Sequence, residues 1–148
     1  MKTLVVGYGN PLRSDDGIGI WMAEEIARLN LPGVEVSTRQ QLQIELVEEC
    51  GNYDRMIFLD SSLDGEEFEI RRIRYQPEVG AATTHHLRIE LLVSLAERLG
   101  IRGPEFYVGT LRCDNFEFGE TISPKVISRG RKAVNLVRDM ILEGACHA

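Results

Sequence analysis

The stretch that decides the fold is Thr3-Leu4-Val5-Val6-Gly7-Tyr8-Gly9-Asn10-Pro11-Leu12-Arg13-Ser14-Asp15-Asp16-Gly17-Ile18-Gly19. Its first four residues are apolar and β-branched, and they stop at a dense turn signal, so residues 3–6 read as a buried strand followed by a loop. Asp15 and Asp16 can then cap a helix from about Gly17 to Leu29, with Ile18, Trp21, Met22, Ile26 and Leu29 on one face. A strand, a glycine-rich loop and a helix in succession open an α/β unit.

The pattern continues outward from this unit. Val34-Glu35-Val36 is a short strand candidate, and Leu42, Leu46, Val47 and Cys50 mark a helix face. Met56-Ile57-Phe58-Leu59 is a second buried apolar run, ending at Asp60. Residues 68–75 alternate in the manner of an edge strand. Leu87, Leu91, Leu92, Leu95 and Leu99 predict a third helix, Glu105 to Leu111 a strand, and Ser123-Pro124 the start of a last helix that Gly144 closes. Strands alternating with helices predict a single three-layer α/β domain over residues 1–148. Its sheet is mostly parallel, with about five strands and helices on both faces.

The chain has 148 residues, 43% hydrophobic and 27% charged, with 17 basic and 23 acidic side chains and a formal charge of −6. That length suits one domain, and the apolar content excludes disorder. An acidic balance disfavours a nucleic-acid partner, which calls for a basic one. The whole imbalance lies in residues 1–74, with 8 basic and 14 acidic side chains, against 9 of each in residues 75–148. Three scattered cysteines, Cys50, Cys113 and Cys146, with no CxxC pair, fit a reducing compartment. The apolar run near the N-terminus is too short for a signal core and no stretch is long enough for a membrane span. The expectation is a cytoplasmic chain with no membrane partner.

In open α/β sheets, ligands bind beyond the carboxyl ends of the strands near a switch in strand order. Three places put ionisable groups there: the loop with Asp15 and Asp16, Asp60 at the end of its strand, and the loop ending in His85-His86. Two carboxylates and one imidazole suit a borderline divalent metal such as nickel, zinc or iron, with positions left open for substrate or water. Plainer readings stand beside this one: an N-cap for Asp15 or Asp16, a loop cap for Asp60, solvated loop residues for the histidines.

Other chemistries fit less well. Gly7-Tyr8-Gly9 follows a strand and precedes a helix, but Leu12 stands where the dinucleotide fingerprint needs its third glycine, and no phosphate loop of the GxxxxGK[ST] type occurs. There is no GxSxG elbow, and Cys113 has no nucleophile motif around it. Lys125, Arg129, Arg131, Lys132 and Arg138 give the last helix a basic stripe, read as a solvated face with docking of an acidic partner as its rival.

Residues 7–19 closely resemble the opening motif of the hydrogenase maturation endopeptidases, nickel-dependent proteases that trim the C-terminal extension from the large subunit of NiFe hydrogenases. The resemblance runs over essentially the whole chain and is strongest in residues 3–20. It implies that Asp16, Asp60 and His85 are the catalytic, nickel-contacting residues, with His86 as the alternative to His85 in the tandem Thr84-His85-His86-Leu87. The nickel is contributed by the substrate precursor and need not be present in the purified protein. Many members carry an Asp-Gly-Gly-Thr motif for substrate recognition. Here that stretch is Thr38-Arg39-Gln40-Gln41-Leu42-Gln43-Ile44-Glu45-Leu46, whose Gln-Leu-x-x-Glu-Leu form looks like the branch serving cytosolic bidirectional, NAD(P)-linked hydrogenases and implies recognition by Gln41, Leu42 and Glu45. The implied partner is the large-subunit precursor, held in a transient complex, and no self-association is predicted. A non-catalytic chaperone of the same subunit and a nucleotide-binding regulatory module are the rival functions.

Overall fold

The computed structural model describes residues 1–75 and 87–146. Strands β1 (Thr3–Tyr8), β2 (Val34–Arg39), β3 (Arg55–Ser62), β4 (Phe68–Ile73) and β5 (Glu105–Arg112) form one sheet in the order β2-β1-β3-β5-β4. Every pairing is parallel except β4 with β5. The strand expected at the edge is therefore at the edge, and its burial alternates as a half-exposed strand requires. Helices α1 (Ile18–Arg28), α2 (Leu87–Arg98) and α3 (Pro124–Cys146) complete the chain.

Alternation along the strands divides the core in two. Leu4, Val6, Met56 and Phe58 face α2 with Ile89, Leu92, Val93 and Ala96. Val5, Ile57 and Leu59 face α1 and α3, meeting Ile18, Met22, Ile26, Ala133, Val137 and Ile141. At the amino ends of the strands the buried Arg55 guanidinium donates from Nε to Thr3 Oγ1 at 3.2 Å and from Nη2 to the Ile141 carbonyl at 3.2 Å, tying α3 to β1 and β3.

Two expectations are corrected. The helix predicted from Leu42 to Cys50 is a 3-10 run, Ile44–Asn52. Its buried residues Leu46, Val47 and Cys50 keep the expected apolar face on a more tightly wound backbone. In α2 the buried stripe is Ile89, Leu92, Val93 and Ala96, whereas Leu91 and Leu99 are exposed. The leucine spacing and this stripe both fit a helical period. Register is decided by which residues meet the sheet.

The glycines of the opening loop answer a packing demand. The amino end of α1 lies directly on the ends of β1 and β3, so that a Cβ at Gly19 would sit 2.4 Å from the Leu59 carbonyl oxygen and 2.5 Å from that of Tyr8. Gly9, at φ +147°, approaches the Asp16 carbonyl just as closely, with 2.1 Å left for a Cβ. No side chain fits against backbone at those distances. Gly19→Ala is expected to cost about 3 kcal/mol or more in thermal denaturation, since backbone must move to admit the methyl group. Gly51→Ala, whose Cβ would meet nothing nearer than Ile101 at 3.8 Å, is expected to stay within about 0.5 kcal/mol of the wild type.

Candidate functional site

Strand order reverses at β1: the chain passes from β1 to β2 on one side and to β3 on the other. The crevice beyond the carboxyl ends of β1 and β3 is thus the switch point where α/β sheets bind ligands. Gly7 pairs with Leu59 as the last rung between the two strands, which places Tyr8 and Asp60 side by side just past it.

Asp15 and Asp16 are neighbours with opposite tasks. Asp15 is fully buried, and its carboxylate accepts four hydrogen bonds: from Ser123 N–H at 2.8 Å and Ser123 Oγ at 2.7 Å, and from the N–H groups of Asp114 and Asn115 at 3.2 and 3.0 Å. Burial alone would raise its pKa, but these donors outweigh it and hold the carboxyl below its usual range. Asp15 is therefore a clamp that fastens the β1 loop to the segment after β5 and to the start of α3. Neighbouring bonds reinforce it, with Ser14 N–H on the Gly119 carbonyl at 2.8 Å and Gly119 N–H on the Leu12 carbonyl at 2.8 Å.

Asp16 points into the crevice and remains partly exposed. One oxygen, Oδ2, accepts the Asn10 N–H at 2.9 Å and the other, Oδ1, accepts the Ser61 hydroxyl at 2.5 Å. Asp60 is buried and accepts the N–H of Ser61 at 2.7 Å. Burial is the main cause pushing its carboxyl up to about 7, and the Asp16 charge adds to it. The Ser61 N–H and the Tyr8 hydroxyl pull the other way. Burial and the adjacent Asp60 in turn push the Tyr8 phenol well above its usual range, so Tyr8 stays a neutral donor. A carboxyl with a pKa near neutrality can exchange a proton, or lose it to a cation that replaces it.

The sequence assigns no role to Tyr8, which lies between two glycines, or to Ser61, which has no partner pattern until Asp16 folds back onto it. His85 and His86 lie outside the described residues. Among the described residues no three His, Cys, Asp or Glu side chains gather as a metal cage. Of the expected residues, the structure brings Asp16 and Asp60 together, joined through Ser61.

Cys113 is buried, its thiol faces the carbonyls of Asp15 and Leu111, and burial pushes its pKa up to about 12, so it carries almost no thiolate at neutral pH. Gly7, Gly9 and Gly19 serve close approach of backbone to backbone, each with a carbonyl oxygen where a Cβ would stand.

Beside the crevice, Gly9 N–H meets the Arg39 carbonyl at the end of β2. The chain that follows forms a groove of about 480 Å³ lined by Leu42, Gln43, Ile44, Glu45 and Leu91. A second hollow of about 340 Å³ adjoins it, lined by Arg39, Gln40, Gln41 and Gln43. Of the three expected recognition residues, Gln41 and Glu45 are exposed, while Leu42 is buried in the core and forms the groove's floor. On the last helix, Arg129 donates to the Arg112 carbonyl and Arg131 stacks over Trp21, so part of the basic stripe serves internal contacts.

No protein-family model and no curated protein matches the chain. Solved structures do. The hydrogenase maturating endopeptidase HybD from E. coli is 21% identical over 97% of this chain and 94% of its own, with a TM-score of 0.80. The NiFe hydrogenase maturation protease HycI from Thermococcus kodakarensis KOD1 is 20% identical over 93% and 90%, with a TM-score of 0.74. A hydrogenase 2 maturation peptidase from a Thaumarchaeota archaeon is 22% identical over 95% and 98%, with a TM-score of 0.70. At these identities the likeness establishes a common fold along nearly the full length of each chain.

Two stability predictions follow from the carboxylates. Asp15→Asn should cost on the order of 3 kcal/mol, because it leaves buried donors facing an amide. Since the folded pKa of Asp15 is depressed, its contribution is complete above about pH 4 and is lost as pH falls through the folded value. Asp60 has the opposite sign. Its raised pKa makes the folded state lose stability as pH rises from about 4 to 7. Asp60→Asn should flatten that fall, so that the variant gains melting temperature relative to wild type at pH 8 compared with pH 5, measured without added metal.

Proposed function

We propose that this chain is an endopeptidase that removes the C-terminal extension of a NiFe hydrogenase large-subunit precursor after nickel insertion. The observation that carries the reading is the Asp16–Asp60 carboxylate pair, set at the switch point of a sheet whose fold matches hydrogenase maturation endopeptidases. Nickel belongs to the substrate, and its contacts would be Asp16, Asp60 and an imidazole of His85, or of His86. A nickel ion with open positions can polarise the scissile carbonyl or activate a bound water.

The chain's own part is positioning. The Asp15 clamp and the Asn10 N–H hold Asp16 in place, while Tyr8 and the Ser61 N–H orient Asp60. Holding two carboxylates at a set separation fixes where a substrate metal can sit, and thereby which peptide bond lies within reach. A folded protein substrate is favoured by the rim. Leu12, Leu63 and Phe118 are exposed in the loops after β1, β3 and β5, and Phe118, at 91%, is almost entirely in solvent. The groove with Ile44, Glu45 and Leu91 beside the crevice, and Gln41 in the adjoining hollow, would read the precursor, here assigned to the cytosolic, NAD(P)-linked kind. The complex is transient, and the work is placed in the cytoplasm.

The test is incubation with nickel-loaded and nickel-free precursor, read by mass spectrometry. Loss of a C-terminal segment is expected with nickel alone, and Asp16→Ala, Asp60→Ala or His85→Ala should reduce it by at least about 100-fold. Equal cleavage of both precursors would overturn recognition through nickel. Binding without any loss of mass would mark the chain as an escort of the subunit instead.

A further inference from the structure

We infer that Ser61 is a positioning residue that joins the Asp16 and Asp60 carboxylates into one unit. Its N–H is bonded to Asp60 Oδ1 at 2.7 Å, and its hydroxyl to Asp16 Oδ1 at 2.5 Å. The two acids arrive from opposite directions. By alternation along β3, Asp60 shares the face of Met56 and Phe58 toward α2, whereas Ser61 shares that of Ile57 and Leu59 toward α1. Asp16 comes from the turn that enters α1. The backbone and side chain of one residue thus span the sheet edge between them.

Ser61 is well placed to hold this geometry. It is 4% exposed and lies within β3, where it pairs with Leu111 of β5, so its backbone cannot turn without breaking the ladder. A hydroxyl donating to a carboxylate makes one of the stronger hydrogen bonds available to a neutral side chain. It takes up one lone pair of Asp16 Oδ1 and selects one rotamer of that acid. Groups that orient metal-contacting side chains in this way are usually worth a factor of ten or more in metal affinity. The use of the pair for a substrate metal rests on the function proposed above; the grip on both carboxylates does not.

The experiment uses the full chain with Ser61→Ala and Ser61→Thr. Side-chain coupling constants of Asp16, measured by NMR without metal, should show one rotamer in wild type and Ser61→Thr and averaging in Ser61→Ala. Titration with nickel(II) alone should show affinity falling on the order of 10- to 100-fold in Ser61→Ala and largely restored in Ser61→Thr, with melting temperatures within a few degrees of wild type. Ser61→Cys, which keeps the volume and weakens the donor, replaces the alanine variant should that fail to fold. A single Asp16 rotamer together with wild-type nickel affinity in the variant lacking the hydroxyl overturns the inference. Normal precursor cleavage by Ser61→Ala overturns it too and leaves the proposed function standing. Wild-type protein that cleaves no precursor overturns the function and leaves the rotamer comparison in force.

Discussion

The buried carboxylate of Asp15 is the interaction on which the candidate site depends. Four donors from residues 114, 115 and 123 converge on a side chain with no exposed surface. A buried charge is tolerated because each oxygen is doubly satisfied. What it holds together is the loop after β1, the loop after β5 and the start of α3, with the Ser14–Gly119 and Gly119–Leu12 backbone bonds beside it. With that junction fixed, Gly19 can rest against the carbonyls of Tyr8 and Leu59, and Asp16 can project over the ends of β1 and β3.

Two acids of the same crevice thereby take opposite electrostatic characters. Burial opposes the charge of Asp15, but its four donors outweigh burial and hold the carboxyl below its usual range. Asp60 is made a weak acid with a pKa of about 7, because burial, with the Asp16 charge added, outweighs the Ser61 N–H and the Tyr8 hydroxyl. The same residue type acquires opposite character from its surroundings, as expected when desolvation and hydrogen bonding compete. Tyr8 sits between these regimes, neutral and directed at Asp60. The site is an electrostatic arrangement as much as a spatial one.

Much of the fold was legible because period and punctuation agree along the chain. The apolar runs at 3–6 and 56–59 became the central strands, the alternating run at 68–73 became the antiparallel edge, and Ser123-Pro124 opens α3. The run at 44–52 keeps its buried face, but residues three apart lie together in both kinds of helix, so apolar spacing alone does not separate the 3-10 from the α form. Leu91 and Leu99 misled for a related reason: a helix rich in leucine offers two stripes, and contact with the sheet selects one. In the candidate site, the places of Asp16 in the loop after the first strand and of Asp60 at the end of β3 follow from the sequence. The functions of Tyr8 and Ser61 do not, since a hydrogen bond spanning 45 residues leaves no local pattern.

Local chemistry settles which segments are strands and helices, where the turns fall, and which acids stand at the carboxyl ends of the strands, because these follow from neighbours a few residues apart. The resemblance to maturation endopeptidases is likewise carried by a contiguous motif. Which of Asp15 and Asp16 is structural, which carboxyl is weakened and which serine bridges the pair are settled by packing. Those properties arise from burial and from donors contributed by residues a hundred positions away, and exclusion of water exists only once the chain has folded.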